Sequence, residues 1–417
     1  MTPAGRVGDA SARPAWSGRP ALWVSLSVLP TVAACWALQP WLAGSSLAVS
    51  LLTQMAWLAI VLLANNLLLG QCGLLSFGHA LQVGAGALGA VLAMRWGASG
   101  GSMPLPVVPL VGGLAALLLA VPLGFVATRS AGTAFAMVTL ALGELAAGFA
   151  LMVPEWFGGE AGITADRAYG RWWGLDFASP MQVCALAVVY ALASAWCLYA
   201  LRTTGLGRLF NAVRDQPERA AFLGHDPRRL RWAAYGIAAF FAGIGGALGA
   251  VQFEIVATAD AVGLARSGSY LLFTYLGGSA HFLGPVLGSV AMVLAGTLLA
   301  RWSLAWPLYL GLAFLLTVMF APRGVAGMLA ATPRAWRTLG GVRWLARVGG
   351  ALLGGCASVA MIELAYRLRG DGGPLLLAGQ AISPSSFGAW AGAAALLLAG
   401  ALLFASGFRR PVDGAGP

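Results

Sequence analysis

Apolar runs of roughly twenty residues, separated by short polar loops, recur along nearly the whole chain, near 21–42, 46–69, 74–94, 104–128, 132–153, 180–201, 232–253, 268–283, 284–300 and 304–321, with two more at 348–366 and 387–408. Each main run is long enough to cross a ~30 Å hydrocarbon layer as a helix. In lipid every backbone polar group must find its partner internally, so such runs fold as helices. The expected fold class is an all-α polytopic membrane protein, with about ten core transmembrane helices and a C-terminal two-helix extension. The 417 residues are 59% hydrophobic and only 9% charged, well outside soluble-globular usage.

The net charge of +11 could point to nucleic acid, but the charge sits in loops between apolar runs, which topology explains better. With the N-terminus inside, alternation places 18 of the 25 arginines inside and 7 outside, as the positive-inside rule requires. Arg6, Arg13 and Arg19 resemble the n-region of a signal peptide. Ala21–Leu42 is long enough to span and has no convincing cleavage site, so it reads as a retained first helix. The run over 268–300 is interrupted by Gly277, Gly278, Gly284 and Pro285, and reads either as two short spans or as one broken, re-entrant span.

One long polar island, Arg202–Arg231, holds seven arginines against Asp215, Glu218 and Asp226. Within it Asp215–Leu223 suits a short amphipathic helix carrying Glu218, Arg219, Ala220 and Ala221, with Gly224 as its C′ residue. Charge alone reads this stretch as an ordinary positive-inside loop. A short amphipathic cytosolic helix carrying both charge signs also suits docking against a soluble protein.

Polar residues within apolar runs are the next signal. Ser76, His79 and Gln82 recur at i, i+3 and i+6 in GLLSFGHALQVGAGALGA and share one side of a helix there. Asn65 and Asn66 precede them, and Gly70 and Gly73 allow a break between helices. Polar groups at membrane depth line a bundle interior or a water-filled path, or else bond neighbouring helices together. Glu144 is an ionisable residue inside an otherwise apolar run and marks a polar site of one kind or the other. Gly84–Gly89 matches GxGxxG, but it lies in an apolar span without the acidic residue of a dinucleotide site, so it reads as helix packing, as does Gly245–Gly249.

Catalytic and metal chemistry find little support. No GxSxG elbow accompanies Ser76 and His79. A P-loop needs a lysine, and the chain has none. Five scattered cysteines and three distant histidines give no metal or redox spacing. No enzyme activity, cofactor or metal is expected of this chain.

Four blocks together resemble the LivM-type permease subunits of branched-chain amino acid ABC importers. They are NNLLLGQCGLLSFGHALQVGAGALGA (65–90), MVTLALGELAAGF (137–149), the stretch 213–250 containing ERAAFLG, and the stretch 276–329 containing LGGSAHFLGPVLGSV. FGGEAGI (157–163) resembles that family's external turn. The resemblance runs from about residue 20 to 330. It implies that Asp215, Glu218, Arg219, Ala220, Ala221 and Gly224 form the coupling helix to ATPase subunits. From the polar and glycine patterns above, Asn65, Asn66, Ser76, His79, Gln82 and Glu144 are expected near a translocation path, with Gly70, Gly73, Gly84, Gly277, Gly278, Gly284 and Pro285 as hinge or packing positions. The resemblance implies a homologous second permease, two ATP-binding subunits, a periplasmic binding protein and an amino acid substrate, in a bacterial inner membrane with both termini cytoplasmic and no nucleic-acid partner. The segments follow as a cytosolic tail (1–20), the permease core (21–330), a basic linker (331–347) and an appended hairpin with a tail (348–417). The text after His79 departs from the family's aromatic-rich pattern, and the hairpin is an addition. A self-sufficient ion-coupled secondary transporter, with Glu144 or His79 as its ion site, is the alternative.

Overall fold

The computed structural model describes residues 46–406, with interruptions at 102, 170, 173–174, 258–260, 304, 321–322, 329–331, 333–340, 370–374, 378–379 and 383–386. The tail expected over 1–20, the span over 21–42, most of the linker and Arg409–Arg410 lie outside the described residues. The chain divides into two compact units, 1–274 and 275–417.

In the first unit the helices are α1 (Ser46–Asn66, continued by a π-helical turn, Leu67–Gln71), α2 (His79–Ala98), α3 (Val108–Ala127), α4 (Gly132–Met152), α5 (Pro180–Thr203), α6 (Gly205–Asp215), α7 (Pro217–Phe222), α8 (Pro227–Phe253) and most of α9 (Leu264–Gly277). Among the described residues five helices are long and apolar enough to cross a membrane: α1 with its π turn, α3, α4, α5 and α8. The fold is that of an all-α polytopic membrane protein.

α8 is the axis of this unit. In its most apolar window 83% of residues are buried, against 28% in α4 and in α5. It packs on α1, α2 and α3, and α1 packs in turn on α5. Small residues let the backbones meet: a Cβ added at Gly86 would collide with Gly243, and one at Gly246 with the Val83 carbonyl. Both glycine-rich stretches thus serve close helix packing. α2 is not among the five: His79, Gln82, Arg95 and four glycines make it less apolar than the others. The start of α8 is set by sequence too: Asp226 accepts the Arg228 N–H at 2.9 Å with Pro227 at the first helical position, so the long central helix begins on a well-formed N-cap.

At the end of the unit where α2 closes, Arg95 Nε donates to the Thr164 carbonyl at 2.9 Å, and two-residue strands pair Ile163 with Val256 and Thr164 with Ile255. Glu254, at φ 58°, ends α8 and accepts the Arg167 N–H at 3.1 Å, its carboxylate 3.7 Å from the guanidinium.

The second unit contains α10 (Gly284–Leu294, continued by a π turn to Leu299), α11 (Trp306–Phe320), α12 (Gly341–Arg369) and α13 (Phe387–Ser406). The run over 268–300 resolves into two helices, α9 and α10, separated by the turn 278–283. A Cβ at Gly278 would strike the Arg323 carbonyl, and one at Gly284 the Gly278 carbonyl, so this turn closes only with glycine at both positions. Gly277 sits against Gly284 in the same way, and Pro285 opens α10 at a position where its missing N–H costs nothing. α12 and α13 pack against each other as a hairpin. α12 begins at Gly341, so the last residues of the expected linker are helical.

Candidate functional site

The α1–α2 connection is a break inside the bundle. Leu67–Gln71 widens into a π turn, Gly73 takes φ +68°, and the Leu74 N–H reaches back to the Leu68 carbonyl at 2.9 Å. The left-handed φ is one that side chains other than glycine rarely adopt. Residues 73–78 are non-helical, and α2 starts only at His79. Ser76 therefore does not share a helical face with His79 and Gln82, as the i, i+3, i+6 spacing suggests. It lies in the turn ahead of them, because the glycines at 73 and 78 prevent the helix from extending backward. All three are nonetheless buried, with Ser76 and His79 at 0% exposure.

A helix that starts inside a bundle needs partners for its first N–H groups. Gly78 has no side chain to supply one, and the partners come from other helices. Thr139 of α4 accepts the Phe77 N–H at 3.2 Å, and Ser267 of α9 accepts the Ala80 N–H at 3.0 Å. Gly78 sits where any Cβ would meet the Thr139 carbonyl. A Cβ on Gly84 would meet the Val262 side chain, which keeps α2 close to the residues just ahead of α9.

α9 completes the site. His79 Nε2 lies 3.2 Å from the Val61 carbonyl, so Nε2 is the protonated, donating nitrogen of the ring. The ring stands edge-on to Tyr270, 6.4 Å between centroids. Asn65 Nδ2 donates to Thr274 Oγ1 at 3.1 Å, and that hydroxyl donates to the Tyr270 carbonyl at 2.7 Å. Gln82 lies beside His79 and the fully buried Tyr235. Ser267, Tyr270 and Thr274 fall at helical spacing on one face of α9. Polar periodicity in LARSGSYLLFTY could have revealed them; Thr139 and Tyr235 carry no comparable signal.

The cluster is only partly satisfied. Asn65 Oδ1, Asn66 Oδ1, Gln71 Oε1, Ser76 Oγ, His79 Nδ1 and both polar atoms of Gln82 are buried without a hydrogen-bond partner of normal geometry among the described residues. Each such atom costs about 1–3 kcal/mol to bury. Such atoms are uncommon in folded proteins, and here they recur between Asn65 and Gln82.

Glu144 is placed differently. It lies midway along α4, is exposed on that helix, and its Oε1 accepts the Leu264 N–H at 2.9 Å. The carboxylate thus stands at the positive end of α9. α9 has 14 residues, so it is ~21 Å long and too short to cross a bilayer alone. Its N-terminus begins at the depth of the middle of α4, as a discontinuous helix.

Beneath the break lie α6 and α7. Thr204 caps α6 through the Gly207 N–H, at 3.4 Å. α7 begins at Pro217 and ends in a Schellman motif, with the His225 N–H on the Ala220 carbonyl at 3.1 Å and the Gly224 N–H on Ala221 at 3.0 Å, Gly224 having φ +85°. The expected short helix in this stretch is present, with Asp215 at the end of α6 and Ala220 on its buried side. Glu218, Arg219 and Ala221 are exposed, as are Phe222 at 90% and Leu223 at 73%. Arg214, which the sequence does not single out, donates from Nη1 to the Gly70 carbonyl and from Nε to Asp215 at 2.8 Å. Its Cγ lies 2.7 Å from where a Cβ on Gly73 would be. Cys72 is buried beside Arg214 and Arg231, and burial pushes its thiol up to about 12. Among the described residues no group of three or more His, Cys, Asp or Glu side chains could hold a metal ion.

Residues 47–322 match the family model described as "Branched-chain amino acid transport system / permease component". The chain is similar to the high-affinity branched-chain amino acid transport system permease protein LivM of Escherichia coli (strain K12), 27% identical over 288 residues, 64% of this chain and 67% of that protein. It is similar to the same extent to the LivM protein of Salmonella typhimurium (strain LT2), again 27% identical over 288 residues. No solved structure matches the chain. A broken helix lined with unpaired polar groups, set in a bundle of spanning helices, is thus found in a chain that belongs to the branched-chain amino acid transport system permease family.

Proposed function

We propose that this protein is the transmembrane permease subunit of an ATP-driven importer for branched-chain or related amino acids, and forms half of the pathway with a homologous permease. The observation that carries the coupling part of this reading is the Phe222–Leu223 knuckle, almost fully exposed at the end of a short capped helix in an arginine-rich loop. Two large apolar side chains held in water by a rigid Schellman turn are a docking feature, not a surface accident. Arg219 and Glu218 flank them and supply both charge signs. The loop lies on the cytosolic side in this reading, as do both termini, and ATP hydrolysis belongs to two partner subunits.

The polar cluster around His79 and Gln82 forms part of the path. Its unpaired amide, hydroxyl and imidazole groups suit the polar head of an amino acid delivered by a periplasmic binding protein. Glu144, exposed at mid-helix, faces the pathway or the second permease rather than lipid. Alternating access would exploit the glycine-closed turns at 70–73 and 277–285, which have few side chains to lock them.

The test is purification of the tagged protein in mild detergent from a host expressing its neighbouring transport genes, as wild type and as Phe222→Arg. Co-purifying nucleotide-binding subunits whose ATPase activity rises with binding protein and leucine, and which are lost in the variant, support the reading. Leucine uptake by the permease alone on an H⁺ or Na⁺ gradient overturns it in favour of an ion-coupled transporter, for which the exposed carboxylate of Glu144 is the natural ion site.

A further inference from the structure

The Arg214 side chain joins two regions that a sequence reading keeps apart, the loop helices and the helix break. It leaves the last turn of α6, one residue before Asp215 and three before the start of α7. From there its guanidinium reaches the Gly70 carbonyl, an acceptor left over by the π turn, and its methylenes lie flat on Gly73. Asp215 holds the other edge of the guanidinium at 2.8 Å and fixes its rotamer. The fit is specific in shape. Gly73 can have no Cβ, because that atom would occupy the space of the Arg214 Cγ. Within this turn or just beside it in sequence are Asn66, Gln71, Ser76 and His79, all buried.

We propose that Arg214 is a positioning residue that holds the 70–73 turn in place and transmits displacement of α7 to the polar cluster behind it. The proposal rests on the importer reading, in which α7 is pushed by ATPase subunits, and deepens it by naming the link between the docking knuckle and the path. The link is short. α7 follows α6 after the single residue Gln216, and α6 packs on the π turn, so a rigid movement of α6 and α7 pulls directly on the Gly70 carbonyl. The π turn is where the regular helical ladder is already interrupted, a feature frequent at functional sites.

Cys72 supplies a reporter inside the turn. It is 3% exposed, and burial raises its thiol to about 12 while the Arg214 and Arg231 charges pull the other way. Removing Arg214 by charge alone would leave less thiolate and slow alkylation. Faster alkylation in an Arg214 variant therefore reports opening of the turn, against the electrostatic trend.

The experiment uses the full chain with Cys35, Cys184, Cys197 and Cys356 replaced by serine, and measures N-ethylmaleimide alkylation of Cys72 alongside leucine uptake by the assembled importer. Arg214→Ala and Arg214→Gln are compared with Arg208→Ala, an exposed arginine of the same helix. The expected result is alkylation about tenfold faster in both Arg214 variants, as local opening becomes more populated, with melting temperature unchanged and alkylation unchanged in Arg208→Ala. Uptake falls to a similar degree while the ATPase subunits still co-purify, and Arg214→Lys restores part of both. Equal alkylation in wild type and both Arg214 variants overturns the proposal, as does faster alkylation with uptake at the Arg208→Ala level. Alkylation needs no ATPase subunit, so an alkylation difference in a permease with which no ATPase ever co-purifies sinks the importer reading and, with it, the transmission role. Equal alkylation in an active ATP-driven complex sinks Arg214 alone.

Discussion

Glu144 and Leu264 are 120 residues apart in sequence and joined by a 2.9 Å hydrogen bond, the carboxylate of one helix capping the start of another. The bond explains how an ionisable side chain is tolerated midway along an apolar helix. Glu144→Gln keeps an acceptor for the Leu264 N–H and loses only the charge–dipole part, so it should leave the melting temperature nearly unchanged. Glu144→Leu strands the N–H and should cost about 1–2 kcal/mol, read as a lower melting temperature by tryptophan fluorescence in detergent. Leucine uptake on ATP should survive Glu144→Gln. Abolished uptake in that variant, with stability intact, would point to a proton carried by this carboxylate.

Ser76 is buried with no partner for its hydroxyl among the described residues. Ser76→Ala should therefore be neutral or stabilising by up to about 1 kcal/mol, since it removes an unsatisfied group without leaving a large cavity. The same substitution should lower leucine uptake severalfold. A variant that is destabilised instead would mean that the hydroxyl is bonded in the folded protein and that the cluster is ordinary helix glue.

Gly224 adopts φ +85° at the C′ position of α7 with open space around it. Gly224→Ala meets no steric neighbour and suffers only the left-handed backbone cost of roughly 1 kcal/mol. Because α7 is six residues long, that cost falls on the docking helix alone. We expect an unchanged melting temperature, faster amide exchange over 217–225 and weaker retention of the ATPase subunits. Unchanged exchange would show that α7 is held by something other than its Schellman turn.

Glu363 of α12 accepts hydrogen bonds at one oxygen from Ser303 Oγ at 2.6 Å and from Tyr309 at 3.0 Å, within the second unit. Glu363→Leu breaks both and leaves two hydroxyls without this acceptor, at a cost of about 2 kcal/mol, whereas Glu363→Gln keeps an acceptor and most of the stability. Hydrogen exchange across 300–309 distinguishes them: protection lost in the leucine variant and retained in the glutamine variant is the expected pattern. Equal protection in both would mean that these bonds do not tie the C-terminal hairpin to the chain before it.

How much could be read before the fold was known depended on the range of the interaction involved. The helical class, the apolar runs that form α1, α3, α4, α5 and α8, the glycine-rich packing stretches and the short loop helix closed by Gly224 are written locally, in hydropathy and in the φ that only glycine tolerates easily, whereas the run expected at 74–94 gives a turn at 73–78 and a helix from His79. A twenty-residue apolar run has one low-energy answer in lipid whatever surrounds it. The polar cluster was visible as residue types, but its geometry was not. Helical spacing puts Ser76 on α2, while the chain places it in a turn ahead of that helix, where Thr139 takes the Phe77 N–H and Ser267 the Ala80 N–H, 62 and 187 residues away from their partners. Arg214 looked like one of seven loop arginines until the fold laid it against Gly70 and Gly73. Polar bonds across a bundle are chosen by which helices become neighbours, and that is decided by the packing of the whole set, which no local window of sequence contains.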